Sequence, residues 1–185
     1  MLLDNRYQLQ EPIGRGLMAI VYRGIDSRTD QVVAIKVLRD LYSSDPQFAR
    51  RFQREAEVMS SLRHPNIVHI YDSGQAEGTY FTVMELVEGT DLQRYLPARG
   101  RLDATSAVII AHNVALGLGA AHHRSIIHRA TIPQHILLGR DGSVKLTSFS
   151  LASVYGIDRE ELPTGVNIVL YFPPEQAPLS WPQHA

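Results

Sequence analysis

Val33-Ala34-Ile35-Lys36 lies within Gln31 to Leu38, a run rich in valine and isoleucine that reads as a β-strand. A lysine ending so apolar a strand calls for an anion nearby. Working forward, Asp45 is a good helix N-cap and Pro46 suits the first helical position. Phe48, Phe52, Glu55, Met59 and Leu62 then recur at intervals of four and three, which places them on one helix face. Glu55 falls inside that apolar stripe, where a carboxylate without a partner is costly. Lys36 and Glu55 therefore form a complementary pair. Working back, Ile13-Gly14-Arg15-Gly16-Leu17-Met18-Ala19-Ile20-Val21 is a glycine loop between strands at Tyr7–Ile13 and Ala19–Ile25. A dinucleotide fingerprint would sit between a strand and a helix, so this loop is not one. Alone, it is better explained by a glycine-containing hairpin. Ser27-Arg28-Thr29-Asp30 turns the chain into the third strand, giving an antiparallel meander.

Further along, Ile67–Tyr71 and Tyr80–Leu86 read as two more strands, with Gln75-Ala76-Glu77-Gly78 between them. Val87-Glu88-Gly89 reads as a hinge and Thr90–Leu96 as a short helix. Asp103 caps a long helix from Ala104 to about His123. Short strands follow at Ile136–Leu138 and Val144–Leu146, turned by Gly139-Arg140-Asp141-Gly142, and the chain after Leu151 is loop-like.

The composition sets outer limits. The 185 residues suit one domain, or one built of two small lobes. Lys+Arg 18 against Asp+Glu 19 leaves a net charge of -1, so no basic excess serves nucleic-acid phosphates, and no nucleic-acid partner is expected. With no cysteine there are no disulfides, thiol nucleophiles or cysteine-ligated zinc. The most apolar stretch, Ala107–Ala121, is interrupted by His112 and Asn113 and is shorter than the ~20 residues a bilayer needs. A buried helix is expected there, with no membrane partner and a cytoplasmic location.

From Lys36 and Glu55 onward the sequence resembles a protein kinase domain of the bacterial Ser/Thr type. His64-Pro65-Asn66-Ile67-Val68 resembles that family's helix-to-strand connection. Val83-Met84-Glu85-Leu86-Val87-Glu88-Gly89 resembles its hinge, with Met84 as gatekeeper. Ile126-Ile127-His128-Arg129 matches the start of the catalytic loop, Ile136-Leu137-Leu138 the strand after it, and Val144-Lys145-Leu146-Thr147 the approach to the metal-binding motif. Tyr171-Phe172-Pro173-Pro174-Glu175-Gln176 resembles the end of the activation segment. These motifs stand in family order from about residue 7 to 176. The resemblance implies an α+β, bilobal fold: an antiparallel five-stranded N-lobe with one helix over residues 1–86, and an incomplete helical C-lobe over 87–185. It also implies an ATP site. The glycine loop would cover the phosphates, Lys36 would contact them, Glu55 would hold Lys36, and Glu85 to Val87 would face the adenine. The implied nucleotide-binding residues are Ile13, Gly14, Gly16, Val21, Ala34, Lys36, Glu55, Met84, Glu85, Val87 and Leu137. The family's regulatory spine maps onto Met59, Ile70, His128 and Phe149, and its adenine-stacking spine in part onto Val21, Ala34, Leu92 and Leu137.

The departures fall on the chemistry. Ala130 stands at the position of the catalytic aspartate, Ile132 at that of the transfer lysine, and His135 at that of the metal-binding asparagine. Ser148-Phe149-Ser150 replaces Asp-Phe-Gly, Ala19 the third glycine, and Ile168 the usual threonine of the substrate-side loop. Phosphoryl transfer rests on positioning and charge stabilisation, and losing one electrostatic stabiliser costs ~10²–10³ in rate. The sequence therefore predicts no catalytic residues, no metal ligands, weak ATP binding and no magnesium: a pseudokinase serving as a regulatory or interaction module. The alternative is a weakly active or unorthodox Ser/Thr kinase using ATP.

Of the eight histidines, His122, His123, His128 and His135 are spaced as zinc ligands can be, but the resemblance accounts for His122 and His128 without zinc. Ser148, Ser150, Ser153, Tyr155 and Thr164 are candidate phosphorylation sites, with Arg129 as a phosphate partner. Because the chain stops at Ala185, the long helix is expected to leave an apolar face for a protein partner or a second copy to cover.

Overall fold

The structure, a computed structural model, describes residues 2–128 and 130–149. Arg129, Ser150, Ile168, the candidate phosphorylation sites beyond Ser148, and the Tyr171–Gln176 motif lie outside the described residues. The first half is an antiparallel sheet of β1 (Leu2–Leu3), β2 (Tyr7–Arg15), β3 (Ala19–Asp26), β4 (Gln31–Leu38), β5 (Ile70–Ala76) and β6 (Thr79–Glu85). Its strand order is β1-β2-β3-β4-β6-β5. Between β4 and β5 run a one-turn helix, α1 (Asp40–Ser43), and the main helix, α2 (Pro46–Ser60). A second sheet of β7 (Gly89–Asp91), β8 (Ile136–Gly139) and β9 (Val144–Leu146) has the order β7-β8-β9. Helices α3 (Leu92–Arg99) and α4 (Ala104–His122) lie between β7 and β8 in the chain.

The expected α+β kinase-like fold is present, with corrections. The N-lobe sheet has six strands, because Leu2 and Leu3 pair with Gln8 and Tyr7. It carries two helices, α1 being the addition. The β5–β6 turn is shorter than expected. Gln75 and Ala76 are paired with Tyr80 and Thr79. Only Glu77 and Gly78 turn the chain, both left-handed at φ 50° and 80°, as a tight two-residue hairpin requires. Nor does β5 begin at Ile67. That residue bridges to Leu146, and the Val68 N–H donates to the Leu146 carbonyl at 2.8 Å, so this stretch joins the two sheets. The hinge-side helix starts at Leu92 rather than Thr90. Gly89–Asp91 pairs with β8, and the Asp91 carboxylate caps the Arg94 N–H at 2.9 Å.

Asp45 caps α2 through the Gln47 N–H at 2.8 Å, and Phe52, Glu55, Met59 and Leu62 are buried as the stripe requires, while Phe48 is half-buried. The far side of the sheet is held by Arg6, whose guanidinium grips both oxygens of Asp26 at 2.7 and 2.8 Å and reaches Asp72 at 3.1 Å. That grip holds the Asp26 carboxyl down at about 2. At the junction of the sheets, the Asn66 carboxamide donates to Asn113 Oδ1 at 2.8 Å and to the Val144 carbonyl at 2.9 Å. The Asn66 carbonyl accepts from the Leu146 N–H at 2.8 Å.

Helix α4 corrects two expectations. Only Gly117 and Ala121 are buried, and Val108, Ile109 and Leu116 are 67%, 51% and 45% exposed. It is therefore not a buried helix among the described residues. It also runs 19 residues with mean hydropathy 1.5 in its most apolar window, long and apolar enough to cross a membrane by length and composition alone. Core helices of folded domains pass the same test, and Gly117 here packs on Asn66 and Leu146. A Cβ at Gly117 would stand 2.8 Å from the Asn66 carbonyl oxygen, whereas one at Gly119 would meet nothing within 4 Å. Gly119→Ala should therefore stabilise the fold by about 0.5–1 kcal/mol through helix propensity. Gly117→Ala should destabilise it despite the same propensity gain. Chemical denaturation of the two variants checks the contrast, and equal shifts would contradict this packing.

Candidate nucleotide site and the degenerate catalytic loop

Strand register assembles the first half of the site. Val21 and Thr82 flank Lys36 directly across β3–β4 and β4–β6, and Met84 lies opposite Ala34. Cross-strand partners share a face, and so do residues two apart. Val21, Ala34, Lys36, Thr82 and Met84 thus project from one side of the sheet. There, half-buried Val21, Val87 and Leu137 pack on the cluster that contains buried Ala34, Met84 and Leu92. Ile13 stays exposed on β2.

Helix α2 brings Glu55 to this face. Lys36 Nζ donates to both Glu55 carboxylate oxygens, at 2.8 and 2.9 Å, and lies 5.5 Å from the centre of the Phe52 ring. The pair expected from Glu55's place in the apolar stripe is formed. Beside it is a cavity of about 10 Å³, lined in part by Lys36, Glu55, Met59, Ile70, Met84 and Thr147. It has room for roughly one water molecule.

The glycine loop joins β2 to β3. Gly16 N–H donates to the Ala19 carbonyl at 2.9 Å. Arg39 holds the tip twice: its N–H donates to the Met18 carbonyl at 2.9 Å and its guanidinium to the Leu17 carbonyl at 3.2 Å. Arg39 carries no motif and was missed by sequence reasoning. The sole cue is its place immediately after β4.

At the hinge, the Glu85 carboxylate is engaged within the chain: Oε1 accepts from Lys145 Nζ at 2.9 Å and from the His69 N–H at 2.8 Å. Its own N–H donates to the His69 carbonyl at 2.9 Å. The Lys145 link ties the end of the N-lobe sheet to β9, and no sequence pattern announced it. The backbone of Val87 has no intramolecular hydrogen-bond partner among the described residues, which leaves its N–H and carbonyl available to a planar ligand.

The catalytic-loop positions lie below. Ala130 and Ile132 are only 5% and 2% exposed. The Ile132 N–H donates to the Ala130 carbonyl at 2.9 Å, and Pro133–His135 forms one 3-10 turn. His135 is buried, with Nδ1 2.8 Å from the Ala130 carbonyl oxygen. A carbonyl only accepts, so Nδ1 carries the proton. Burial pushes His135 below its ordinary value, and nearby Lys36 pushes the same way, so the ring is neutral. His128 is also neutral. Burial, helped by His135, holds it down at about 4. Its Nε2 lies 3.1 Å from the Thr147 carbonyl, and its Nδ1 accepts from the Ala130 N–H at 3.3 Å. The Phe149 ring packs against it at a tilt of 51°, with ring centres 4.5 Å apart. Met59, Ile70, His128 and Phe149 are all buried. Ser148 adopts a left-handed φ of 61°.

Of the residues predicted for nucleotide contact, Val21, Ala34, Lys36 and Met84 thus share one sheet face, Glu55 reaches it from α2, and Val87 and Leu137 pack on the same cluster. The four degenerate positions offer no carboxylate. Among the described residues, no three His, Asp or Glu side chains group to hold a metal ion.

Comparison with known proteins agrees with this architecture. A family model for the protein kinase domain matches residues 7–179. The chain is 42% identical over 179 residues to the serine/threonine-protein kinase PrkC of Bacillus subtilis (strain 168), covering 95% of this chain and 27% of that protein. It is 41% identical over 150 residues to the serine/threonine-protein kinase PknL of Mycobacterium tuberculosis, covering 81% and 38%. The crystal structure of the M. tuberculosis PknI kinase domain superposes with a TM-score of 0.72 at 30% identity, over 83% of this chain and 61% of that one. The chain thus spans well under half the length of these two sequence relatives. A match over residues 7–179, with the α2 glutamate held to the β4 lysine, places this chain in the protein kinase domain family.

Proposed function

We propose that this chain is a pseudokinase: a regulatory or interaction module that keeps a weak adenine-nucleotide site and does not transfer phosphate. One observation carries the reading. Around an intact Lys36–Glu55 pair, the positions of base and transfer lysine are buried alanine and isoleucine, and the metal-binding position is a neutral histidine bonded to the Ala130 carbonyl. Magnesium triphosphate does not fit this donor set. A hard divalent cation takes oxygen ligands, chiefly carboxylates, and the nitrogen of His135 and hydroxyl of Ser148 bring no charge to hold it. Alanine cannot orient or deprotonate a substrate hydroxyl. The adenine side, by contrast, keeps its apolar walls and a hinge backbone at Val87 that bonds to none of the described residues.

The test is mass-spectrometric detection of phosphate transfer from ATP, to the chain itself and to a generic protein substrate. The expected result is no transfer above that of a Lys36→Ala variant, with or without magnesium. Magnesium-dependent transfer that vanishes in Lys36→Ala would establish the second reading, an unorthodox Ser/Thr kinase. That reading draws on the same closed Lys36–Glu55 contact and on the likeness to serine/threonine-protein kinases.

A further inference from the structure

Adenine binding as read above makes two demands at once. The edge of the base must meet the hinge backbone, and its faces must fit between Ala34 of β4 and Leu137 of β8. Both are met together only when the hinge is fixed relative to β8. Glu85 is where that fixing occurs. From the N-lobe side it is gripped by His69, whose N–H donates to Oε1 at 2.8 Å and whose carbonyl accepts from the Glu85 N–H at 2.9 Å. Lys145 reaches the same Oε1 from the second sheet, at 2.9 Å. Lys145 stands directly opposite Leu137 in the β8–β9 pair, and cross-strand partners share a face. Its ammonium therefore rises beside the floor residue and ends two residues before Val87. At the other end of the hinge, the Glu88 carbonyl accepts from the Arg140 N–H at 2.8 Å, from the turn between β8 and β9. Leu86 and Val87 lie between these two holds.

An exposed ion pair contributes little, but the Lys145 and Glu85 side chains are only 17% and 20% exposed. Nor does the pair carry the joint between the sheets. Three other bonds do: Val68 N–H to the Leu146 carbonyl, Leu146 N–H to the Asn66 carbonyl, and the Asn66 carboxamide to the Val144 carbonyl. The fold therefore has its own support when Lys145 is cut, and the hinge does not. We infer that Lys145 is a positioning residue for adenine: by holding Glu85 it sets the separation between the Val87 backbone and the Leu137 floor. The inference rests on the adenine-binding reading above and adds the residue that fixes the slot.

The test is titration calorimetry of the full chain with adenosine, which probes the base without the phosphates. Lys145→Met keeps the aliphatic stem and removes the ammonium, and it should weaken adenosine binding about tenfold. Lys145→Arg, which keeps a cation within reach of Glu85, should restore most of that loss. Asn113→Ala breaks the bond from Asn66 at the other junction and should lower the unfolding midpoint while leaving adenosine affinity unchanged. Parental affinity in Lys145→Met, or an equal loss in Asn113→Ala, overturns the inference and leaves the adenine-binding reading standing. No adenosine binding by the parent removes both. If Lys145→Met does not fold, Glu85→Gln decides, because it keeps an oxygen for the His69 N–H and loses the charge that draws Lys145. Adenosine binding at parental strength in that variant overturns the inference.

Discussion

Ile132→Lys should lower the unfolding free energy by about 4 kcal/mol, although it restores the residue that kinases carry at that position. The isoleucine is 2% exposed and fixed in the loop by the hydrogen bond from its N–H to the Ala130 carbonyl. An ammonium buried there either stays charged out of water or gives up its proton, and both are costly. The lost isoleucine packing adds to the penalty. Ile132→Val, which removes one methylene and no polarity balance, should cost about 1 kcal/mol and serves as the control. Urea denaturation at unchanged m-value measures both. A lysine variant within 1 kcal/mol of the parent would mean that the side chain reaches water and that the loop is not a sealed apolar patch.

The second large effect is on pH. His128 is held at about 4 in the folded chain, against about 6.5 for an ordinary histidine. Below pH 6.5 the unfolded chain takes up a proton that the folded chain refuses. Stability is therefore full above pH 6.5, falls as pH drops toward 4, and levels off below. The difference amounts to about 3 kcal/mol. His135 is shifted in the same direction by its own burial and steepens the fall. Asp26, held at about 2, acts only at lower pH. The check is the unfolding free energy from pH 7.5 to 4 for the parent and for His128→Phe. The variant starts less stable, since the Thr147 carbonyl loses its partner, while the Ala130 N–H keeps the His128 backbone carbonyl at 2.8 Å. Its curve should nonetheless be flatter by roughly the stated amount. Parallel curves would show that His128 already titrates near its usual value.

Much of this was legible in the residues. The cap at Asp45 and the stripe from Phe48 to Leu62 gave α2 to within a few residues, and a carboxylate inside that stripe foretold the contact to Lys36. The catalytic-loop losses needed no coordinates, because they are changes of chemical type. What escaped was set by tertiary context. Arg39 and Lys145 act through ordinary hydrogen bonds whose partners are distant in sequence, and no periodicity encodes those. The hinge motif names Glu85 but not the direction of its side chain, so its bond to Lys145 was not foreseen. Exposure of α4 was partly foreseen and its burial wrongly so. An all-apolar helix looks the same in sequence whether its neighbours cover it or not. The two-residue β1 was too short to leave any pattern.

The Asn66 junction also bears on the order in which the molecule assembles. The strands up to Glu85 are linked mostly by hairpins, contacts of small sequence separation that close early. Asn66 must wait for Asn113 and Val144, which lie 47 and 78 positions downstream. During synthesis, the six-stranded sheet has all of its strands before either partner has been made. Until then the carboxamide is satisfied by water, and docking of α4 and β9 onto it becomes a late, loop-closing step whose rate is set by chain entropy.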